Sequence, residues 1–300
     1  MGDGKWLNYR LSDIEERLKE QGHTVSIPVI SRLLRERDYR LRVNVKAITS
    51  KQEPERDAQF QHILEQRKQH QAARQPILSV DSKKKELIGN FKNPGRVWCQ
   101  KPEQVNAHDF PQDAVGRAVP YGIYDLLNNR GTLYIGQSAD TPAFAVDNIA
   151  RWCETELLVY FPEATHLMLE ADCGGSNGYR SRVWKRDLQV KVVEAFGLTV
   201  TVCHYPTGAS KWNPIEHRLF SEISKTWAGC PLRSFDLMLD YIRHTRTQAG
   251  LAVQAALVTQ MYATGVKVPD EEIAALNITF HDVCPRWNYT IYPHSTMLIQ

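Results

Sequence analysis

The 300-residue sequence has no CxxC pair among its six cysteines. A zinc-ribbon or redox-motif reading is therefore set aside, and free thiols in a reducing compartment fit better. No apolar run reaches the ~18 residues that a membrane span needs, and no signal-peptide pattern precedes the charged N-terminus. These absences predict a soluble, cytoplasmic protein with no membrane partner. There is no P-loop, nucleophile elbow or Rossmann glycine pattern, so the usual nucleotide-binding and serine-hydrolase signatures are missing. Internal repeats and low-complexity segments are absent too.

The chain has enough apolar residues, 42%, for a sizeable core. Its net charge of +3 is small, but the basic residues are clustered. One cluster holds Arg32, Arg35, Arg37, Arg40, Arg42 and Lys46; a second holds Lys83, Lys84, Lys85, Lys92, Arg96 and Lys101; a third holds Arg180, Arg182, Lys185, Arg186 and Lys191. Each is a candidate phosphate-contacting surface, with an ordinary solvated face as the alternative.

Residues 1–50 read as a small helix-turn-helix domain, with a generic helical subdomain as the equal alternative on these residues alone. Leu11, Ile14 and Leu18 recur at helical spacing, Gly22 ends that helix, and Ser26 with Pro28 opens a second. Ile27, Ile30 and Leu34 are its expected inner face, leaving Ser31, Arg32 and Arg35 for the DNA major groove. The alternating basic stretch YRLRVNVKA (39–47), with Arg40 and Arg42, suggests a wing. Residues 51–75 are polar, lack glycine and read as a helical linker whose His62 and His70 are expected at the surface.

The pattern changes at Pro76. ILSVD (77–81) is a buried-strand pattern, and YGIYDLLNNRGTLYIGQS (121–138) is a hairpin around NNRG. Helix 141–161, strand 165–172, helix 179–197, strand 198–205 and helices 214–227 and 234–245 follow. Antiparallel strands followed by helix–strand alternation predict an α/β fold: a mixed sheet flanked by helices, of the ribonuclease H-like kind, over 76–250. Residues 251–300 are assigned to a C-terminal extension that is a packing or subunit-contact element.

Three acids fall at element ends: Asp81, Asp172 and Glu216. If the first and fourth strands are neighbours, both Asp side chains emerge at one edge of the sheet, and a helix start packed there adds Glu216. Three carboxylates meeting there repel one another unless cations neutralise them. An all-oxygen set suits Mg²⁺ or Mn²⁺, and two such ions can clamp a phosphodiester. Each acid also has a plainer reading. Asp81 can cap a turn into KKKE, and Asp172 can serve the glycine-rich turn after it. Asn213, Pro214 and Glu216 make a capping-box pattern. Against that last reading, Glu216 shares the register of Leu219, Phe220, Ile223 and Trp227, so it faces inward. Glu86, Asp140 and His217 rank lower as site residues. Ser176, Asn177, Lys211 and Trp212 are equally open to DNA contact or packing.

SVDSKKKELIGNFKNPGRVW (79–98), LEADCGGSNGYR (169–180) and GASKWNPIEHRLFSEISKTWAG (208–229) resemble the catalytic blocks of bacterial insertion-sequence transposases with a Rhodopirellula-type DDE domain. The resemblance runs from about residue 6 to about 293, and QGHTVSIPVISRLLRERDYRL (21–41) resembles the helix-turn-helix before that domain. It implies Asp81, Asp172 and Glu216 as catalytic acids and metal ligands, with two Mg²⁺ (or Mn²⁺) ions as cofactor. It implies double-stranded DNA, both element ends and target, as partner, and a homo-oligomer assembled on that DNA. Ser31, Arg32, Arg35, Arg40, Arg42, Lys83, Lys84, Arg180, Arg182 and Lys211 are the expected DNA contacts. It also implies a copy truncated at its N-terminus, because Met1-Gly2-Asp3 leads almost straight into the DNA-binding region. The implied reaction is metal-dependent cleavage followed by strand transfer. The alternatives are a catalytically silent DNA-binding remnant, and a ribonuclease H-like nuclease without strand transfer.

Overall fold

A computed structural model of the chain describes residues 9–40, 54–209 and 212–294. It falls into two compact units, 1–50 and 51–300.

The first unit contains α1 (Leu11–Glu20) and α2 (Ile27–Glu36). Gly22, at φ +84°, closes α1, and the His23 N–H donates to Leu18 O at 2.8 Å. This is the glycine stop the sequence predicts. Ile30 is buried, whereas Ile27, expected on the inner face, is 38% exposed. Pro28 stands in the first turn of α2, and the buried stripe begins at Ile30. The stretch beyond Arg40, with the expected wing and Arg42, lies outside the described residues.

The second unit is built on a nine-stranded sheet. Its strands are β1 (Ile77–Ser82), β2 (Glu86–Ile88), β3 (Gly116–Asp125), β4 (Arg130–Gly136), β5 (His166–Ala171), β6 (Thr199–His204), β7 (Ala252–Val258), β8 (Ile278–Phe280) and β9 (Asn288–Ile291). The order is β7-β4-β3-β1-β5-β6-β9-β8, with β2 pairing β3 off this path. β1, β3 and β4 run antiparallel, while β1, β5 and β6 run parallel. This is the mixed, ribonuclease H-like sheet expected from the sequence. The hairpin loop is 126–129, two residues earlier than NNRG (128–131) suggests. Asp125 Oδ1 accepts from the N–H groups of Leu127 and Asn128, so an Asx-type turn sets the loop and Arg130 and Gly131 enter β4.

Two boundaries read from composition fail. Helix α3 (Arg56–Ala72) packs on the sheet instead of crossing solvent: Gln59, Ile63 and His70 are buried, and Ile63 joins Ile77, Met168, Cys203 and Tyr205 in one apolar cluster. Arg67 reaches the fully buried Glu170 through two hydrogen bonds of 2.7 and 2.6 Å, and the Tyr205 hydroxyl donates to the same carboxylate at 2.7 Å. The polar groups that α3 brings to the sheet are matched by this ion pair and by Gln59, whose Nε2 donates to Asn288 Oδ1 at 2.8 Å. Nor is 251–300 an appendage. β7 extends the β4 edge in parallel register, and β9 extends the β6 edge antiparallel, so the cut at 250 falls inside the sheet.

Helices cover both faces. α4 (Pro142–Trp152), a π turn at Cys153–Leu157 and α5 (Leu158–Tyr160) share one face with α6 (Arg182–Leu188) and its π continuation, Gln189–Glu194. The other face holds a π-helical segment, Glu216–Phe220, that runs into α7 (Ser221–Thr226), and then α8 (Phe235–Arg243). A short α9 (Asp270–Ala274) precedes β8.

Candidate active site

The last paired residues of β1 and β5 are Val80 and Ala171, so Asp81 and Asp172 are the next positions along two adjacent parallel strands. The neighbour relation the sequence requires is met. Ile77, Ser79 and Asp81 share a face by the two-residue period of a strand, and Asp81 is only 7% exposed.

The third acid arrives on a helix pressed unusually close to the sheet. A Cβ at Gly122, directly opposite Asp81 in β3, would collide with Phe220 and Ile215; one at Gly131 would collide with Leu219. Two missing side chains therefore admit the 215–227 helix. Leu219, Phe220, Ile223 and Trp227 are all buried, as their register predicts, and Glu216 is half-buried at the head of that stripe. The capping box does not form as expected. Asn213 Oδ1 accepts from the Ser79 hydroxyl of β1, and the Ile215 N–H donates to Ser79 Oγ at 3.2 Å. The cap of this helix is thus supplied across the fold.

The electrostatics match a set of acids whose mutual repulsion is only partly relieved by nearby cations. Burial raises the Asp81 carboxyl well above its usual range, and the neighbouring charges of Asp172, Glu216 and Asp140 raise it further, against the Ser82 N–H that holds Oδ1 at 2.7 Å. Burial likewise raises Asp172, with Asp140 and Glu216 adding to the effect, while the Gly174 N–H and the Asn177 side chain oppose it. Glu216 is raised by burial and partly relieved by His217 and Lys83.

Asp140, ranked low in the sequence, belongs to this edge. Its Oδ1 accepts from Ser82 Oγ at 3.0 Å, and Lys85 Nζ lies 3.9 Å from Oδ2. The available signal was its place directly before the Thr141-Pro142 helix start, at the end of the strand beside β3. Asn177 is also structural here: it is 1% exposed, accepts from the Tyr121 hydroxyl at 2.9 Å and supports Asp172. Glu86 pairs with Lys83 at 3.2 Å.

The expected DNA contacts divide. Ser31, Arg35 and Arg40 line one hollow of the first unit with Tyr9 and Arg10, and Arg32 is exposed beside Glu36 at 3.6 Å. Lys84 and Arg180 are exposed in the second unit, and Arg180 lies against the Tyr179 ring. Lys83 is not a free surface cation: its side chain is 10% exposed, with Nζ 4.7 Å from the Trp227 ring centre. Arg182 is engaged with Asp270 and Val268 O, tying α6 to the segment before α9. Lys211 and Arg42 lie outside the described residues.

Oxygen-only donors at the carboxyl ends of paired parallel strands, held together against their own repulsion, fit a hard divalent cation. As positioned, no three His, Cys, Asp or Glu side chains among the described residues form a ready-made metal group. The fit therefore lies in donor type and charge. A ribonuclease H-like sheet with this acidic edge defines the class: a metal-dependent enzyme acting on nucleic-acid phosphodiesters.

The sequence matches the Rhodopirellula transposase DDE domain over residues 2–293, and the chain belongs to that family. It is a DDE transposase, a DNA-cleaving and strand-transferring enzyme. Comparison with curated proteins gives no match. Similar solved structures include a Mos1 transposase paired-end complex with left transposon end, at 15% identity, covering 81% of this chain and 72% of that one, TM-score 0.47. They also include a pre-cleavage Mos1 transpososome, at 14% identity with the same coverages and TM-score 0.48. A third is the Mos1 mariner paired end complex with Mn, at 15% identity with the same coverages and TM-score 0.47. Among the described residues, no helix is long and apolar enough to cross a membrane.

Proposed function

We propose that Asp81, Asp172 and Glu216 are the acids with which this transposase cuts the ends of its insertion sequence and joins them to target DNA. The observation that carries this is the register of β1 and β5, which sets Asp81 beside Asp172, with the Glu216 helix admitted by Gly122. Asp81 and Asp172 would hold two Mg²⁺ or Mn²⁺ ions between them, and Glu216 would complete the second site. When bound, such ions supply Lewis acidity toward the scissile phosphate and neutralise the carboxylates.

The protein's own part is to hold the acids and the DNA. The Gly174 N–H and Asn177 hold the Asp172 carboxylate by hydrogen bonds, and Ser82 ties Asp140 to the same edge. In the first reaction, water attacks phosphorus and the departing strand keeps a 3′-OH. In the second, that 3′-OH attacks a target phosphorus, forming one P–O bond as the target's own P–O bond breaks. No covalent link to the protein is needed. Ser31, Arg32, Arg35 and Arg40 of the first unit, and Lys84 and Arg180 of the second, would contact DNA phosphates, so binding should weaken steeply with salt. Paired subunits on DNA complete the reading.

The test is cleavage of a DNA fragment carrying the element's end, with Mg²⁺ or Mn²⁺. Asp81→Ala and Glu216→Gln should abolish cutting while retaining DNA binding. Full cleavage by Glu216→Gln would overturn the assignment. Pre-cut ends offered with target DNA separate a transposase from a nuclease that only hydrolyses.

A further inference from the structure

Ser79 stands two residues before Asp81, on the same face of β1. It has no exposed surface, and neither does Asn213. The two lie 134 residues apart in sequence, yet the Ser79 hydroxyl donates to Asn213 Oδ1. Ser79 Oγ in turn accepts the Ile215 N–H at 3.2 Å. A hydroxyl has one proton to give, and that proton is committed to Asn213.

The first turn of the Glu216 helix is fully accounted for by these groups. Pro214 has no N–H. The Ile215 N–H goes to Ser79, and the Glu216 N–H goes to the Asn213 carbonyl at 3.1 Å. The donors that a helix start leaves without intrahelical partners are thus met from β1 and from Asn213. The turn that follows is π-helical over Glu216–Phe220, so regular α-helical bonding does not fix its phase. Asn213 Nδ2 is buried with no partner among the described residues.

We propose that Ser79 and Asn213 form a latch between the strand of Asp81 and the helix of Glu216, and so act as positioning residues for metal binding and cleavage. The latch rests on the reading of Glu216 as the third acid. It acts by fixing the rotation and depth of the helix start relative to β1. Phe220 over Gly122 and Leu219 over Gly131 seat the helix further along, the Ile215 side chain sets its depth over Gly122, and the latch supplies the hydrogen bonds of the first turn.

The test uses the full chain with four substitutions: Ser79→Ala, Asn213→Ala, Asn213→Asp and Glu216→Gln. Mn²⁺ binding to the protein alone is measured by titration calorimetry. Cleavage of the element-end fragment is followed against Mg²⁺ concentration, DNA affinity is measured separately, and thermal unfolding checks the fold. Supporting groups behind metal ligands typically contribute about 10–100-fold to affinity or activity. Ser79→Ala should lose that much in Mn²⁺ affinity and cleavage rate, with DNA affinity unchanged. Asn213→Asp, which keeps an oxygen for the Ser79 hydroxyl, should lose less than Asn213→Ala. If Ser79→Ala binds Mn²⁺ and cuts like the parent while Glu216→Gln is inactive, the latch is wrong and the acid assignment stands. If Glu216→Gln cuts fully, the acid assignment fails and the latch with it. Should Ser79→Ala not fold, the Asn213 pair decides: equal losses for Asp and Ala overturn the proposal.

Discussion

His204 shows how one side chain links stability to the acidic edge. It is fully buried, its Nδ1 lies 2.8 Å from Asp172 O, and its Nε2 lies 3.4 Å from the Tyr289 hydroxyl. Burial lowers its pKa to about 4 from the ordinary 6.5. A histidine held neutral in the folded state contributes stability that is complete above the unfolded value and is lost as pH falls from about 6.5 toward 4. The raised Asp81 and Asp172 carboxyls act in the opposite sense over this range, so the comparison is with a variant: in urea unfolding, going from pH 7 to pH 5 the parent should lose stability relative to His204→Gln. Equal changes in the two proteins would show that other groups dominate. At this scale the sequence was partly legible. The inward register of Glu216 could be read because helical periodicity survives a local π turn. Asp140 could not be placed, because its role depends on Ser82 reaching it from another strand. His70, expected at the surface, is buried because α3 lies on the sheet.

At the scale of elements, the approach of the 215–227 helix depends on absent side chains. Gly122→Ala would push a methyl group into Phe220 and Ile215. Overpacking of this kind costs about 1–3 kcal/mol. The expected result is a lower unfolding midpoint, with a larger drop in cleavage than in DNA binding, since Gly122 lies opposite Asp81. A fully active, equally stable Gly122→Ala protein would show that the helix adjusts without consequence. The core helices were legible through their 3.6-residue period, and the central strands as short apolar runs, since β1, β5 and β6 are buried on both faces. Helix α3 was misread as a linker because its burial rests on polar groups, Gln59 with Asn288 and Arg67 with Glu170, that composition counts as solvent-seeking.

For the whole molecule, residues 251–300 are the main surprise. The alternation in β7 reads weakly: Val253, Ala255 and Val258 are buried between exposed neighbours. β9 is a four-residue strand whose pairing with β6 is set by contacts far away in sequence. Neither segment carries chemistry, so neither stood out. A chain cut at residue 250 should be insoluble or unfolded, because it bares the edges of both β4 and β6. Solubility and circular dichroism of the shortened protein check this; a folded, monomeric product would restore the appendage reading.

Pairing at the two flanks also has an order in time. A ribosome completes Asp81, Asp172 and Glu216 well before it reaches Asn288–Ile291. Until then β6 lacks its outer neighbour, and Tyr289 cannot yet meet Trp184 or the His204 that braces Asp172. All three acids therefore exist in the nascent chain before β9 closes that side of the sheet.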